Sequence, residues 1–426
     1  MKYPKTYCVL PFNQAFFPAT GQLQLCCASD PNYPNKKNKR HISKFKNINE
    51  WFHSDYMNNV REAMLKGKPL KECVGCYKVE ESGQQSLRQW ENNEYFKNNP
   101  TRPLDEVKID TMNIKFGNKC NLKCKMCFPY SSSEIWKEWK QLGWHNQNGP
   151  AKYFDSYIYE DFEWMANEEN FKKLKDMAKH CTRLHFTGGE PMAMPRFHEF
   201  LKFCVENNYA KDISLEVITN GTKIHPRFFK YGEKFKEIEI HISIDGTNST
   251  YDYIRYPGNY DVVLKNIKFY NEWLTNKTWG KLTFNFTLSV FNLHNVTEFI
   301  ETISPLCVNN DKALQTFIMR DPDFMTFNML PIEHIKKAIK ELIQLENNTN
   351  NTVIKQTAWQ FINEIMKPLP TGLSTIDKPH EALEPSLGLT NKESWEQLND
   401  FVVKQDNLRK IHIKNYIPHL AEYFNY

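Results

Sequence analysis

Six short runs rich in apolar, β-branched or aromatic residues punctuate the middle of the chain, at 113–116, 183–187, 213–219, 237–244, 282–290 and 314–319. Their bounded length and composition predict strands. Most are separated by longer stretches in which apolar residues return every three or four positions, at 171–180, 196–207, 261–274 and 296–303, and these predict amphipathic helices. Strands alternating with helices imply a parallel sheet with right-handed crossovers, either open or curved into part of a barrel. In both arrangements the chemistry belongs at the C-terminal ends of the strands. From Pro331 onward the pattern is helical, at 333–345, 351–366 and 395–424, and reads as packing rather than chemistry.

Two prolines, Pro100 and Pro103, restrict the backbone and end any helix before them. They mark a linker at 98–103 and divide the chain into residues 1–101, a central 102–330 and a tail of 331–426. No internal repeat is visible.

At 426 residues the chain can bury a substantial core without covalent staples, so its eleven cysteines are not needed as disulfides. Their odd number and the close CxxxCxxC spacing of Cys120, Cys124 and Cys127 suit metal chemistry and a reducing compartment better. No stretch of eighteen consecutive apolar residues occurs, and the N-terminus lacks the order of a signal peptide, so a soluble cytoplasmic protein with no membrane partner is expected. Net charge is +5, with both signs intermixed. The one basic stretch, 36–46, has no aromatic residues among its early cations and reads as a solvated loop, so no nucleic-acid partner is expected.

Three thiolates on one loop can wrap one face of a 4Fe–4S cluster. Such a cluster normally takes four cysteines, so a three-cysteine loop leaves one iron open to another ligand. Structural zinc competes for clustered thiolates but wants a fourth ligand, and the nearest histidine in sequence is His145.

This loop, placed after the first predicted strand of the central piece, resembles the defining motif of the radical S-adenosylmethionine (SAM) enzymes. Gly188, Gly189, Glu190 and Pro191 follow the second strand and resemble that family's GGEP motif, which implies contact with the methionine amino group of SAM. Two glycines let a backbone approach a ligand closely, and a carbonyl or carboxylate accepts from an ammonium. Asn220 ends the third strand, and Ser243 and Asp245 lie at the end of the fourth. By resemblance to the peptide-modifying and sulfatase-maturing branches, they would bond the ribose or methionine carboxylate region of SAM. Arg255 resembles the arginine that pairs with that carboxylate. Met126 stands where the family usually has an aromatic residue near the adenine. The implied fold is α/β, a partial (β/α)6 TIM-like barrel. The implied cofactors are SAM and a SAM-binding 4Fe–4S cluster, served by a flavodoxin- or ferredoxin-type reductant; the resemblance leaves the substrate unidentified, with a peptide ahead of small sugars or nucleotides.

Cys8, Cys26, Cys73 and Cys76 offer four more thiolates, a complete set for a second cluster. Their spacing resembles the opening of a SPASM or twitch domain, which implies an auxiliary 4Fe–4S cluster in a small cysteine-rich domain, placed here before the barrel rather than after it. Cys26 fits the glycine spacing of that motif and leaves Cys27 spare. A zinc ribbon uses the same ligands, so a non-catalytic zinc-binding interaction module with structural cysteine clusters stands as the alternative. Cys181, Cys204 and Cys307 sit in apolar contexts and read as small buried hydrophobes.

Overall fold

The computed structural model describes residues 3–29, 40–81, 83, 85–144, 162–309, 314–319, 322–366 and 392–426. His145 and the first part of the 36–46 basic stretch lie outside the described residues.

Seven strands form one sheet in sequential order: β1 (Gln14–Phe17), β2 (Thr111–Lys115), β3 (Arg183–Thr187), β4 (Ser214–Thr219), β5 (Glu237–Ser243), β6 (Gly280–Leu288) and β7 (Leu314–Ile318). β1 to β4 pair in parallel, as do β6 and β7. A parallel pair cannot be joined by a hairpin. The crossovers accordingly carry helices such as Pro195–Glu206, Tyr260–Leu274 and Val296–Ile303, and the topology is that of a β/α barrel.

All six predicted strands are present, with ends shifted by at most two residues, and β1 is added to them. Its four residues are all buried. A strand buried on both faces shows no alternation, and four residues are too few for a composition signal. β1 pairs with β2, so the proline-rich stretch at 98–103 interrupts the chain without interrupting the sheet.

Packing divides the chain into two units. One comprises Met1–Lys119, Ser156–Val217 and His225–Ile238, and the other Cys120–Asp155, Ile218–Ile224 and Glu239–Tyr426. In the first, an aromatic core sits under β2 and β3. The Phe186 ring lies 5.4 Å from Phe116, 5.0 Å from Phe197 and 5.9 Å from Phe200. Fully burying such a ring is worth about 1.5–3 kcal/mol, with about 0.5–1.5 kcal/mol more from each well-placed aromatic pair. The core fixes β3 so that Leu184 and Phe186 point into it while Arg183, His185 and Thr187 take the other face. In the second unit Phe286 of β6 plays the same part, 4.5 Å from Phe299 and 5.3 Å from Phe361.

Helix starts follow local chemistry. Ser132, Asn167 and Asn259 cap Ser133–Gln141, Glu168–Ala178 and Tyr260–Leu274 by accepting from backbone amides, and Ser86 with Gln89 forms a capping box for Leu87–Asn98. The helix expected at 395–424 is shorter and begins earlier, as Lys392–Arg409. Lys410 adopts φ +57°, and the amides of Lys410 and Ile411 turn back to the carbonyls of Asn407 and Asp406 at 3.3 and 3.0 Å, closing the helix. Beyond it lie two 3-10 turns, Ile413–Asn415 and Pro418–Tyr423. Among the described residues no helix is long and apolar enough to cross a membrane.

Candidate cluster and cofactor site

In the first unit, β2 and β3 end level, with Lys115 opposite Thr187. The segment leading to Cys120 and the one beginning at Gly188 therefore leave from the same edge. Gly189, at φ +53°, lies so close to the preceding segment that a Cβ there would stand 2.5 Å from the Lys119 carbonyl. The Glu190 amide donates to that carbonyl at 2.8 Å. The Gly188–Pro191 motif is thus tied to the residue immediately before the first loop cysteine. The Glu190 side chain is buried and accepts from the Met192 amide at 3.0 Å, and Pro191 opens the 3-10 turn Pro191–Ala193.

In the second unit, Cys120, Cys124 and Cys127 share a loop followed by the helix Ser133–Gln141. Burial pushes the Cys127 thiol well above its ordinary range, and Cys124 and Cys120 push it further by charge repulsion. Asn220 is a clamp on this loop. Its Nδ2 donates to Asn121 Oδ1 at 3.1 Å and approaches Cys120 Sγ at 3.8 Å, while its Oδ1 accepts from the Thr222 amide and hydroxyl at 3.0 and 2.7 Å.

Asp245 and Arg255, each expected to meet the cofactor, meet one another at 2.8 Å. Asp245 Oδ1 also accepts from the Thr287 amide at 2.8 Å. Burial opposes the Arg255 charge, but Asp245, Cys124 and Tyr251 outweigh it and raise the guanidinium's pKa, so it stays a cation beside the cysteine loop. Its Nε is buried without a hydrogen-bond partner, as is the Tyr251 hydroxyl. Tyr251 was missed by sequence reasoning: it lies inside the helix Asn248–Ile254, where a tyrosine reads as core. Ser243 is the last residue of β5, half-buried, and Met126 is half-buried in the cysteine loop.

The tail, expected only to pack, reaches this site. Asp406 and Arg409 of Lys392–Arg409 bond to Lys125 and to the Lys123 carbonyl, within the CxxxCxxC loop itself. A contact 281 residues apart leaves no local pattern to read.

Cys8, Cys26, Cys73 and Cys76 all belong to the first unit. Cys8 lies under the electrostatic influence of Cys73 and Cys76, and Cys26 under that of Cys27, Cys8 and Cys73. Burial, then Cys76, pushes the Cys73 thiol up to about 12. Asn92 holds the backbone on both sides of Cys8, donating to the Tyr7 carbonyl at 2.9 Å and accepting from the Val9 amide at 2.8 Å. Arg88 donates to the same Tyr7 carbonyl at 2.7 Å and pairs with Glu80, one turn beyond Cys76. Cys181 and Cys204 are buried and Cys307 half-buried.

Residues 114–288 match the model of the radical SAM superfamily. The chain carries a radical SAM domain. Over 175 residues it is 26% identical to the radical SAM cyclopropyl synthase TigE of Paramaledivibacter caminithermalis, a match covering 40% of this chain and 34% of that relative. The chain thus spans about a third of the length of the curated relative it matches. Among solved structures, anSMEcpe with bound AdoMet and Cp18Cys peptide is similar over 56% of this chain and 60% of its own, at 17% identity and TM-score 0.38. Streptococcus suis SuiB bound to its precursor peptide SuiA is similar over 64% and 57%, at 16% identity and TM-score 0.35.

A radical SAM domain implies a 4Fe–4S cluster and SAM, and the residues present fit both. Three half-buried thiols on one loop, one of them raised in pKa by burial and by its two neighbours, are the donor set that cluster iron takes as thiolates. The orphaned Arg255 Nε and Tyr251 hydroxyl offer donors beside Cys124, suited to an anionic ligand. Among the described residues no group of three or more His, Cys, Asp or Glu stands close enough to hold one metal ion.

Proposed function

We propose that the chain is a radical SAM enzyme that cleaves SAM reductively and abstracts hydrogen from a peptide substrate, modifying or dehydrogenating it. The observation that carries this reading is the cysteine loop held beside the Arg255 cation, with its preceding residue bound to the Gly188–Pro191 motif. When bound, the cluster and SAM supply the hard chemistry: one electron breaks the sulfonium bond, and the resulting 5'-deoxyadenosyl group takes a hydrogen atom from the substrate.

The protein's part is placement. Cys120, Cys124 and Cys127 hold three irons, and Asn220 fixes the first thiol. The Gly188–Pro191 motif, held against the Lys119 carbonyl, would meet the methionine ammonium. Arg255, kept charged and oriented by Asp245, pairs with the methionine carboxylate, with Ser243 at the adjoining strand end and Met126 covering the adenine. Cys8, Cys26, Cys73 and Cys76 hold an auxiliary 4Fe–4S cluster in residues 1–101. Four cysteines would leave such a cluster no open iron, so these residues would suit it to electron transfer rather than to substrate binding. A flavodoxin- or ferredoxin-type protein reduces the system in the cytoplasm.

The test is anaerobic reconstitution with iron and sulfide, followed by dithionite and SAM. Release of 5'-deoxyadenosine above a Cys124→Ala background is expected, and none would sink the proposal. Candidate peptides with deuterium at defined positions then identify the hydrogen removed, by mass spectrometry of the 5'-deoxyadenosine.

A further inference from the structure

The CxxxCxxC loop contains a charge that a staple would not need. Lys125 lies between Cys124 and Cys127, and its side chain is wholly shielded from solvent, as is that of its ion-pair partner Asp406. The ammonium sits 4.6 Å over the ring of Tyr253, whose hydroxyl donates to the Asp406 carboxylate at 3.1 Å. The Tyr426 hydroxyl donates to the same carboxylate. One turn away, Arg409 donates through Nη2 to the Lys123 carbonyl at 2.8 Å. It also grips both oxygens of Glu138, at 2.8 and 2.7 Å, in the helix that follows the loop. The loop's own amides are used as well: Lys123 and Lys125 donate to the carbonyls of Tyr256 and Ile254 at 2.5 and 2.7 Å.

Apolar residues of similar volume would pack such a helix against such a loop at no desolvation cost. Ionic groups instead give direction, since a guanidinium fork accepts one orientation of its partners. They also place charge next to the thiolates, and Arg409 acts electrostatically on Cys124. We propose that Asp406 and Arg409 are positioning residues for the cluster: they fix the backbone of the CxxxCxxC loop and set the balance of charge beside it. This rests on the cluster reading above. The cations Lys125 and Arg409 favour the reduced, more negative cluster, and Asp406 offsets part of that effect.

Two measurements on the full chain separate this proposal from that reading. The first uses cluster-free protein and follows hydrogen exchange at the Lys123 and Lys125 amides. Arg409→Gln and Arg409→Lys should each speed exchange there about tenfold, with β3 amides unchanged. Wild-type exchange in both variants overturns the positioning role, whether or not the loop ever binds iron.

The second follows the midpoint potential of the reconstituted cluster whose electron paramagnetic resonance responds to SAM. Asp406→Asn should shift the potential upward and Arg409→Gln downward, while Lys125→Met/Asp406→Asn, which removes both charges of the pair at nearly unchanged volume, returns it toward the wild-type value. The double variant also guards against a folding failure of Asp406→Asn. Equal shifts of one sign, or none, overturn the charge balance. A wild-type chain with no SAM-responsive cluster overturns the cluster reading instead and leaves the exchange result standing.

Discussion

The two cysteine sets are built differently. Cys120, Cys124 and Cys127 sit together on one loop, and what holds that loop comes from far away: Asn220, the carbonyls of Ile254 and Tyr256, and the charged face of Lys392–Arg409. Cys8, Cys26, Cys73 and Cys76 are scattered along the chain, but their supports are the nearby helices, through Arg88, Asn92 and Glu80. A ligand set compact in sequence leans on distant scaffolding, and a dispersed one carries its scaffolding between its ligands. The two sites should therefore fail in different ways.

The largest effect separates them by ligand. Cys124→Ala should abolish 5'-deoxyadenosine formation while the N-terminal iron remains. Cys73→Ser/Cys76→Ser should lower iron from ~8 to ~4 atoms per chain. Iron near four with stoichiometric zinc in the wild type would make the N-terminal set a zinc site.

The next tests the remote support. Asp406→Ala strands a wholly buried ammonium in the cysteine loop, and breaking a buried pair from one side costs about 3–5 kcal/mol. A denaturant titration of cluster-free protein should show that loss, whereas Glu62→Ala, at an exposed pair, should leave the midpoint nearly unchanged.

A smaller effect is expected at Gly189, against the Lys119 carbonyl. Gly189→Ala requires a left-handed backbone at a position where its Cβ meets the Lys119 carbonyl, costing about 1–2 kcal/mol in conformational strain alone. SAM affinity by calorimetry should fall with it, with iron content unchanged.

The smallest concerns acid. Burial, then His419 and His334, hold the His294 pKa down to about 3. Its Nε2 lies 3.1 Å from His334 Nδ1, and His334 Nε2 lies 2.7 Å from the Tyr423 hydroxyl beyond the C-terminal helix. A histidine held neutral in the folded state contributes stability above its unfolded pKa of about 6.5 and loses it as pH falls toward 3. Urea midpoints at pH 7.5 and 5.5 should differ in that direction, and His294→Gln should narrow the gap. Loosening there that leaves Lys123 and Lys125 exchange unchanged would uncouple the terminal segment from the loop.

Much of this was legible because it is local. The six strands declare themselves by composition, and the polar residues at their ends fall into register once the strands are placed. β1 was hidden because burial on both faces erases alternation. At Asp245 and Arg255 the residue types suggest a cofactor partner and give no sign of the ion pair between them, because each also suits an external partner. The role of Asp406 and Arg409 had no sequence trace at all. On a helical face they look like ordinary surface charge, and only the fold reveals that they are buried.

The Lys125–Asp406 pair also imposes an order of assembly. Its members are separated by 281 residues, so at a synthesis rate of about 5–20 residues per second the cysteine loop emerges roughly 15–60 s before its latch exists. During that interval Lys125 has no buried counter-ion and the loop stays open to solvent and to iron donors. Until Asp406 is made, the cysteine loop lacks the buried partner that holds it in the finished chain.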